Sequence, residues 1–280
     1  MVAREALVAA RALGWAVTGR GHAELDVTDA EAVRACVLET APDLVLNAAA
    51  YTQVDGAERE AEAARRVNAE GPAWLADACS TAGVPLVHLS TDYVFDGRSR
   101  RPYRPDDPPN PLGVYGRTKW EGEEAVRLRL AQHLIVRTSW VYAPHGRNFL
   151  RTIARLAHEQ ETLRVVSDQR GSPTLAADLA RALLAAVASA MTGSSAWGTY
   201  HFCNAGEATW HGFASAIVAG LASRPGVVCR SVVPIATSEH PRPAARPAYS
   251  VLDTSAWTAA FGQTPRRWED ALSDALCQLN

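Results

Sequence analysis

Three apolar runs constrain the fold more than any other feature of the chain: Leu44-Val-Leu-Asn-Ala-Ala-Ala50, Val84-Pro-Leu-Val-His-Leu-Ser90 and His133 to Ser139. None alternates apolar with polar residues as a strand with one wet face would, and a stretch of helical periodicity separates each from the next. Strands buried on both faces and alternating with helices form a parallel sheet covered by helices on both sides. The chain is therefore expected to be α/β. Ligands of such sheets bind beyond the C-terminal ends of the strands, where Asn47, Ser90, Thr91 and Ser139 stand.

Residues 3–13 read as an amphipathic helix stopped by Gly14, and Trp15 to Thr18 as a short buried strand. Asp26-Val-Thr-Asp29 leads into a helix ending near Thr40, with Thr28 or Asp29 as N-cap. Helical stretches follow at 57–82 and 112–131. After residue 145 the pattern loosens into helix 147–160, strand 163–166, helix 174–191, strand 199–203, helix 209–222 and strand 227–233. Pro234 to Tyr249 carries four prolines and two arginines, which makes it a crossing loop. This layout predicts a dinucleotide-binding domain over 1–145, with contributions from 174–204. A smaller C-terminal substrate lobe is expected from 146–173 and 205–280. No internal repeat or low-complexity segment interrupts it.

Composition excludes several classes. A net charge of -2 over 280 residues gives no electrostatic reason for nucleic acid or an anionic membrane as partner. Arg98, Arg100, Arg101 and Arg104 cluster, but acidic and proline-rich sequence follows at once, so they read as a solvated loop. The five cysteines form no CxxC and cannot all pair, which points to reduced thiols in a reducing compartment. No histidine pattern has zinc spacing, and no metal ligand is assigned. With no apolar run long enough to span a bilayer and no signal-peptide layout, a cytoplasmic location is expected.

Lys119 is the only lysine among 28 basic side chains, and it lies four residues after Tyr115. On a helix that spacing points both side chains into one cleft. A lysine offers a compact charge with three donors where arginine offers a wide planar fork. The cation is expected to favour phenolate and lower the tyrosine pKa, which would make Tyr115 a usable general acid or base. Seven tyrosines in 280 residues give this spacing by chance about once in 40, so the pair needs context.

That context is an ordered set of motifs: Asn47-Ala-Ala-Ala-Tyr-Thr-Gln-Val-Asp-Gly-Ala-Glu58, Ser90-Thr-Asp-Tyr-Val-Phe-Asp-Gly97, Tyr115-Gly-Arg-Thr-Lys119 and Arg137-Thr-Ser-Trp-Val-Tyr142. Asn148-Phe149, Asp168-Gln-Arg-Gly-Ser-Pro-Thr174 and Arg246-Pro-Ala-Tyr-Ser-Val-Leu252 follow in order. Over nearly its whole length the chain resembles the dTDP-4-dehydrorhamnose reductase family of extended short-chain dehydrogenase/reductases. The resemblance implies a Rossmann-like, doubly wound parallel sheet and reduction of the C4 ketone of dTDP-4-dehydro-6-deoxy-L-mannose to dTDP-L-rhamnose. It implies a catalytic set of Tyr115 as proton donor to the C4 oxygen, Thr91 as a second hydrogen-bond donor to that oxygen, and Lys119 on the nicotinamide ribose. Asp26 and Val27 take the place of the adenine contact, and Asn47, Ala48, Ala49 and Ala50 that of the wall along the cofactor. Val54, Tyr93, Trp140, Asn148, Phe149, Gln169 and Arg246 stand where the family surrounds the sugar nucleotide. For Ala48 to Ala50 ordinary strand-end packing, and for Trp140 plain core, are equally good readings. Related 4,6-dehydratases carry Thr-Asp-Glu where this chain has Thr91-Asp92-Tyr93, so elimination of water lacks a participant.

The family pattern opens with a strand and a G-x-x-G-x-x-G loop that holds the cofactor diphosphate. Met1-Val2-Ala3 falls at the tail of that loop, so the sheet is expected to lack its first strand and glycine loop. Roughly 10 to 12 residues are expected to precede Met1 in the functional protein. Thr18-Gly-Arg-Gly21 has no acid to repel a 2′-phosphate, which favours NADPH, with NADH as the alternative. The resemblance leaves magnesium and a homodimer open. A 4-ketoreductase for another dTDP-deoxysugar, and a non-catalytic regulatory subunit that keeps this fold, are the competing functions.

Overall fold

The computed structural model describes residues 1–191 and 196–279. The first half runs α1 (Val2–Ala12), α2 (Ala30–Thr40), β1 (Val45–Asn47), α3 (Val54–Ala57), α4 (Ala61–Arg65), a π-helical turn (Arg66–Glu70), α5 (Gly71–Ala82), β2 (Leu86–Thr91), a 3-10 turn (Asp92–Val94), α6 (Val114–Arg129) and β3 (His133–Thr138). The second half runs β4 (Val141–Tyr142), α7 (Phe149–Glu159), β5 (Thr162–Val166), β6 (Arg170–Gly171), β7 (Thr174–Leu175), α8 (Ala176–Met191) and β8 (Gly198–His201). It ends with β9 (Ala208–Thr209), α9 (Trp210–Leu221), β10 (Ser231–Ile235), α10 (Ser255–Phe261) and α11 (Trp268–Cys277).

β1, β2, β3 and β8 form a four-stranded parallel sheet in that order. Successive side chains of β2 enter opposite cores, as the two-residue period of a strand requires. Leu86 joins Val33, Val37, Leu75, Cys79 and Ile135 beneath α2 and α5. Val87 joins Leu134, Leu179, Leu183 and Trp257 beneath α8 and α10. The sheet is thus covered on both faces in the Rossmann-like manner, and each large apolar side chain so buried contributes about 1.5–3 kcal/mol. A separate core gathers Leu150, Ile153, Phe213, Ile217 and Leu272 from α7, α9 and α11.

Three expectations need correction. Trp15 to Thr18 is irregular, not a strand. Among the described residues no strand lies beyond β1, and a strand exists only through ladder bonds to a neighbour; Trp15 still packs into the α8 core. The helical stretch expected at 57–82 begins at Ala61 and runs unbroken through α4, a π-helical turn and α5, with Pro72 just past the π-helical turn, where it interrupts the helix's hydrogen bonding. The last strand lies at 231–235, not 227–233, and includes Pro234. It pairs with β5 alone in a two-stranded sheet, so proline sits at an edge, where it is tolerated.

Candidate active site

β2 delivers Ser90 and Thr91 to the mouth of the sheet and turns at once. Thr91 Oγ1 accepts the Tyr93 N–H at 3.2 Å and donates to Asp92 Oδ1 at 3.1 Å. α6 begins beside this turn. Its first amide, Val114 N–H, donates to Glu58 Oε1 at 2.8 Å, so a carboxylate satisfies an orphan donor at the positive end of the helix. Gly116 then passes so close to the turn that a Cβ there would lie 2.1 Å from the Tyr93 carbonyl oxygen. That approach sets Tyr115 beside Thr91. The Thr91 hydroxyl acts on the Tyr115 phenol, and the Tyr93 and Tyr115 rings meet edge to face with centroids 5.5 Å apart.

One turn further along α6, Lys119 is 2% exposed. Its Nζ donates to the Leu89 carbonyl at 2.7 Å and lies 3.4 Å from His88 Nε2. Burial lowers its pKa to about 8, against the opposing charge of Glu123. Another turn on, Glu123 receives Arg137 Nε at 2.9 Å and Nη2 at 2.8 Å, and Arg127 Nη2 at 2.6 Å. Burial would raise this carboxyl, but Arg137 and Arg127 outweigh it and hold it below the ordinary range. Tyr115, Lys119 and Glu123 therefore form one stripe at i, i+4 and i+8. The expected depression of the Tyr115 pKa by Lys119 is not found. The amine faces Leu89 and His88, and burial, opposed by the nearby Thr91 hydroxyl, raises Tyr115 to about 12. Tyr115 is therefore a protonated phenol, which suits a proton donor.

On the β1 side, Asn47 Oδ1 accepts the Ala49 N–H at 3.0 Å and Asn47 Nδ2 lies 3.1 Å from His88 Nδ1. Ala48, Ala49 and Ala50 lead from there to Tyr51. Buried Asn68, in the π-helical turn, accepts the Tyr51 N–H at 2.9 Å and donates at 3.2 Å to the Tyr51 carbonyl and to Thr118 Oγ1. Gly122 completes this clamp, since a Cβ there would lie 2.1 Å from the Asn68 carbonyl oxygen. Asp26 Oδ1 accepts the Thr28 N–H and Oγ1–H, each at 2.9 Å, and these bonds hold its carboxyl below the ordinary range. Val27 packs against Gly71, where a Cβ would come within 3.1 Å of it.

The sugar-nucleotide candidates divide into two groups. Arg246 Nη1 donates to Asp55 Oδ1 at 2.5 Å and to the Ala244 carbonyl at 2.6 Å, while the Ala244 N–H reaches Asp55 at 3.2 Å. The charges of Asp92, Arg246 and Asp55 all act on the Tyr93 phenol, whose ring meets that of Tyr115, and Val54 opens α3 next to Asp55. Trp140 and Phe149 lie in a second group, where both contact Trp210. The Trp140 ring stacks on it at 3.6 Å and 6°, and that of Phe149 is 4.6 Å away. Trp140 adopts φ +47°, and Gly171 makes room for it, since a Cβ there would lie 2.5 Å from the indole. Asn148 caps α7 and donates to the Ala143 and His145 carbonyls at 2.9 Å. Gln169 Nε2 donates to Thr237 Oγ1 at 3.0 Å.

Sequence reasoning missed Asn68, His88, Asp92, Glu123, Arg137 and Gly116. Glu123 carried a legible signal, because it extends the Tyr115-Lys119 spacing by one more turn. Asp92 is buried with Oδ2 unpartnered, and burial raises its pKa to about 6. Among the described residues no group of His, Cys, Asp and Glu is placed to hold a metal, and no helix is long and apolar enough to cross a membrane.

The family model for the RmlD substrate binding domain matches residues 1–280. A dTDP-4-dehydrorhamnose reductase of Streptomyces griseus is 46% identical over 268 residues, covering 94% of this chain and 87% of the relative. A dTDP-4-keto-6-deoxy-D-glucose reductase of Streptomyces niveus is 41% identical over 282 residues, covering 100% and 94%. The crystal structure of a dTDP-4-dehydrorhamnose reductase from Bacillus anthracis in complex with NADP superposes with a TM-score of 0.91 at 33% identity. It covers 99% of this chain and 95% of that one.

Proposed function

Because the chain belongs to the RmlD family, we propose that it is the reductase which converts dTDP-4-dehydro-6-deoxy-L-mannose to dTDP-L-rhamnose with NADPH. The observation that carries this reading is the packing of Gly116 against the Tyr93 carbonyl, which brings a protonated phenol and a hydroxyl together at the end of a central parallel strand. The cleft suits the cofactor. Lys119 offers buried amine donors, Asn47 to Ala50 offer small side chains for close approach, and the buried Thr138 hydroxyl at the end of β3 has no partner.

Bound NADPH would supply the hydride that the C4 carbon receives. With its hydroxyl hydrogen turned from Asp92 to the substrate, Thr91 would join Tyr115 in holding the C4 oxygen between two hydroxyl groups and stabilising its developing negative charge, an effect strongest in the transition state. Tyr115 Oη would then give its proton to that oxygen. Lys119 would orient the nicotinamide ribose through its ammonium donors, and the Glu123-Arg137-Arg127 network fixes the next turns of the same face of α6. Arg246 would bind the diphosphate, since a guanidinium matches its geometry. Residues 1–145 with 174–204 are assigned to the cofactor side, and 146–173 with 205–280 to the sugar-nucleotide side. The net charge of -2 and the five unpaired thiols support a cytoplasmic enzyme without nucleic-acid or membrane partners.

A 4-ketoreductase for another dTDP-deoxysugar is the second reading, favoured by the S. niveus relative. Incubation with NADPH deuterated at both C4 positions of the nicotinamide and the 3,5-epimerised 4-keto sugar nucleotide separates them. The proposal expects dTDP-L-rhamnose carrying deuterium at C4. A different product sugar, or no deuterium at C4, would refute it.

A further inference from the structure

Asn47, His88 and Lys119 form a buried chain whose hydrogens can be counted. The Ala49 N–H can only donate, and it lies 3.0 Å from Asn47 Oδ1, so it fixes which end of the Asn47 amide is oxygen. The amide NH2 therefore faces His88 Nδ1 at 3.1 Å. Nδ1 must accept. The ring lies at 0% exposure, and its pKa is pushed well below the ordinary value by burial and then by the charges of Lys119 and Arg127. A neutral ring that accepts at Nδ1 carries its one hydrogen on Nε2. That nitrogen lies 3.4 Å from Lys119 Nζ.

An ammonium has three hydrogens and no lone pair, so it cannot accept from Nε2–H. A neutral amine can, while still donating to the Leu89 carbonyl at 2.7 Å. We infer that His88 is a positioning residue that tunes Lys119: locked as its Nε2–H tautomer by Asn47, it turns a donor toward the lysine and disfavours the ammonium. Lys119 is then a group that changes charge in the working range of the enzyme instead of a permanent cation.

Burial also disfavours the ammonium, and among the described residues the other groups around the pair act differently. Glu123 faces Lys119 from α6 and favours the ammonium, while Arg127 acts on His88 from the same helix. Arg137, from β3, is bonded to Glu123. β1 presents only the uncharged Asn47 opposite His88, and β3 presents Ile135. Cys79, from α5, is a thiol pushed up to about 12 by burial. Tyr115 and Asp92 stand at the mouth of the cleft. The inference rests on the proposed function only for the place of Lys119 at the nicotinamide ribose.

Because the chain has one lysine, protein grown on lysine labelled with carbon-13 at Cε gives a single resonance whose pH titration reads Lys119 alone. The inference expects a midpoint at least about one pH unit lower in the wild type than in His88→Gln, whose amide oxygen can accept from the ammonium. His88→Met, which has no donor at this position, should shift the midpoint in the same direction. Equal midpoints in folded wild type and His88→Gln would overturn the inference. Nitrogen-15 shifts of the histidine rings test it without any substitution. The His88 ring, identified by through-space contact to the Lys119 side chain, should be the Nε2–H tautomer at neutral pH, and an Nδ1–H ring would overturn the account. NADPH affinity, read by fluorescence quenching, should weaken as pH rises through the lysine midpoint, because the ammonium is lost, and in His88→Gln that weakening should move to higher pH. The two lysine and histidine readouts need neither cofactor nor turnover, so they stand or fall apart from the reductase assignment.

Discussion

Replacing Gly116 with alanine tests how closely the catalytic pair depends on backbone contact. The added carbon would stand 2.1 Å from the Tyr93 carbonyl oxygen and 3.0 Å from Pro111 Cβ. A carbon-oxygen contact needs about 3.3 Å, so α6 and the Thr91-Tyr93 turn must separate by about 1.2 Å. α6 has little freedom to slide instead, because Gly122 is pressed against the Asn68 carbonyl and Val114 N–H is held by Glu58. A displacement of about 1 Å at a reacting group costs on the order of 100-fold in rate, equivalent to about 2.7 kcal/mol of transition-state stabilisation. The overpacking itself costs about 1–3 kcal/mol, which leaves a domain of ordinary stability folded. Steady-state NADPH oxidation should therefore show kcat lowered about 100-fold in Gly116→Ala. Circular dichroism should be native, and cofactor affinity should change far less, because Lys119 lies one turn away. A Gly116→Ala enzyme with kcat within about threefold of wild type would show that the contact does not set the geometry of Tyr115.

Lys119→Arg should lose cofactor affinity and turnover despite keeping its charge, because the planar guanidinium does not fit the space between the Leu89 carbonyl and His88; isothermal titration with NADPH reads this directly. Glu123→Gln leaves Arg137 buried without its carboxylate and should cost about 3–5 kcal/mol, measured by urea unfolding at pH 7. The Glu123 carboxyl titrates lower in the folded than in the unfolded protein, so its stabilisation is present above the unfolded value of about 4.3 and is lost as pH falls through the folded value. The stability gap between wild type and Glu123→Gln should accordingly close in acid. Arg246→Ala should raise KM for the sugar nucleotide more than tenfold, with a smaller effect on kcat, because the lost interaction is with a group remote from the reacting carbon.

The sheet was legible because β2 and β3 are apolar on both faces, and only one kind of architecture buries such strands twice. Trp15 to Thr18 has the same local character but, among the described residues, no strand to pair with, and pairing is not written in a strand's own residues. The stretch from 57 to 82 reads as one helix by periodicity, yet Asn68 needs its π-helical turn to reach Tyr51 and Thr118 at once. Tyr115 and Lys119 could be placed on one helical face from their spacing. Their electrostatics could not, because the direction of the Tyr115 shift depends on burial and on Lys119 facing Leu89 and His88, both of which are tertiary facts. Gly116 and His88 were silent for a similar reason. A glycine in a helix and a histidine in a strand acquire meaning only from what lies within a few ångströms of them.

The most direct test of the account is the single-turnover rate of NADPH oxidation by Tyr115→Phe, with enzyme saturated by cofactor and 4-keto sugar nucleotide. Loss of the phenolic proton should slow that step by roughly 100-fold or more, while cofactor affinity and fold remain those of the wild type. A Tyr115→Phe enzyme that oxidises NADPH at the wild-type rate would contradict the assignment of Tyr115 as the proton donor.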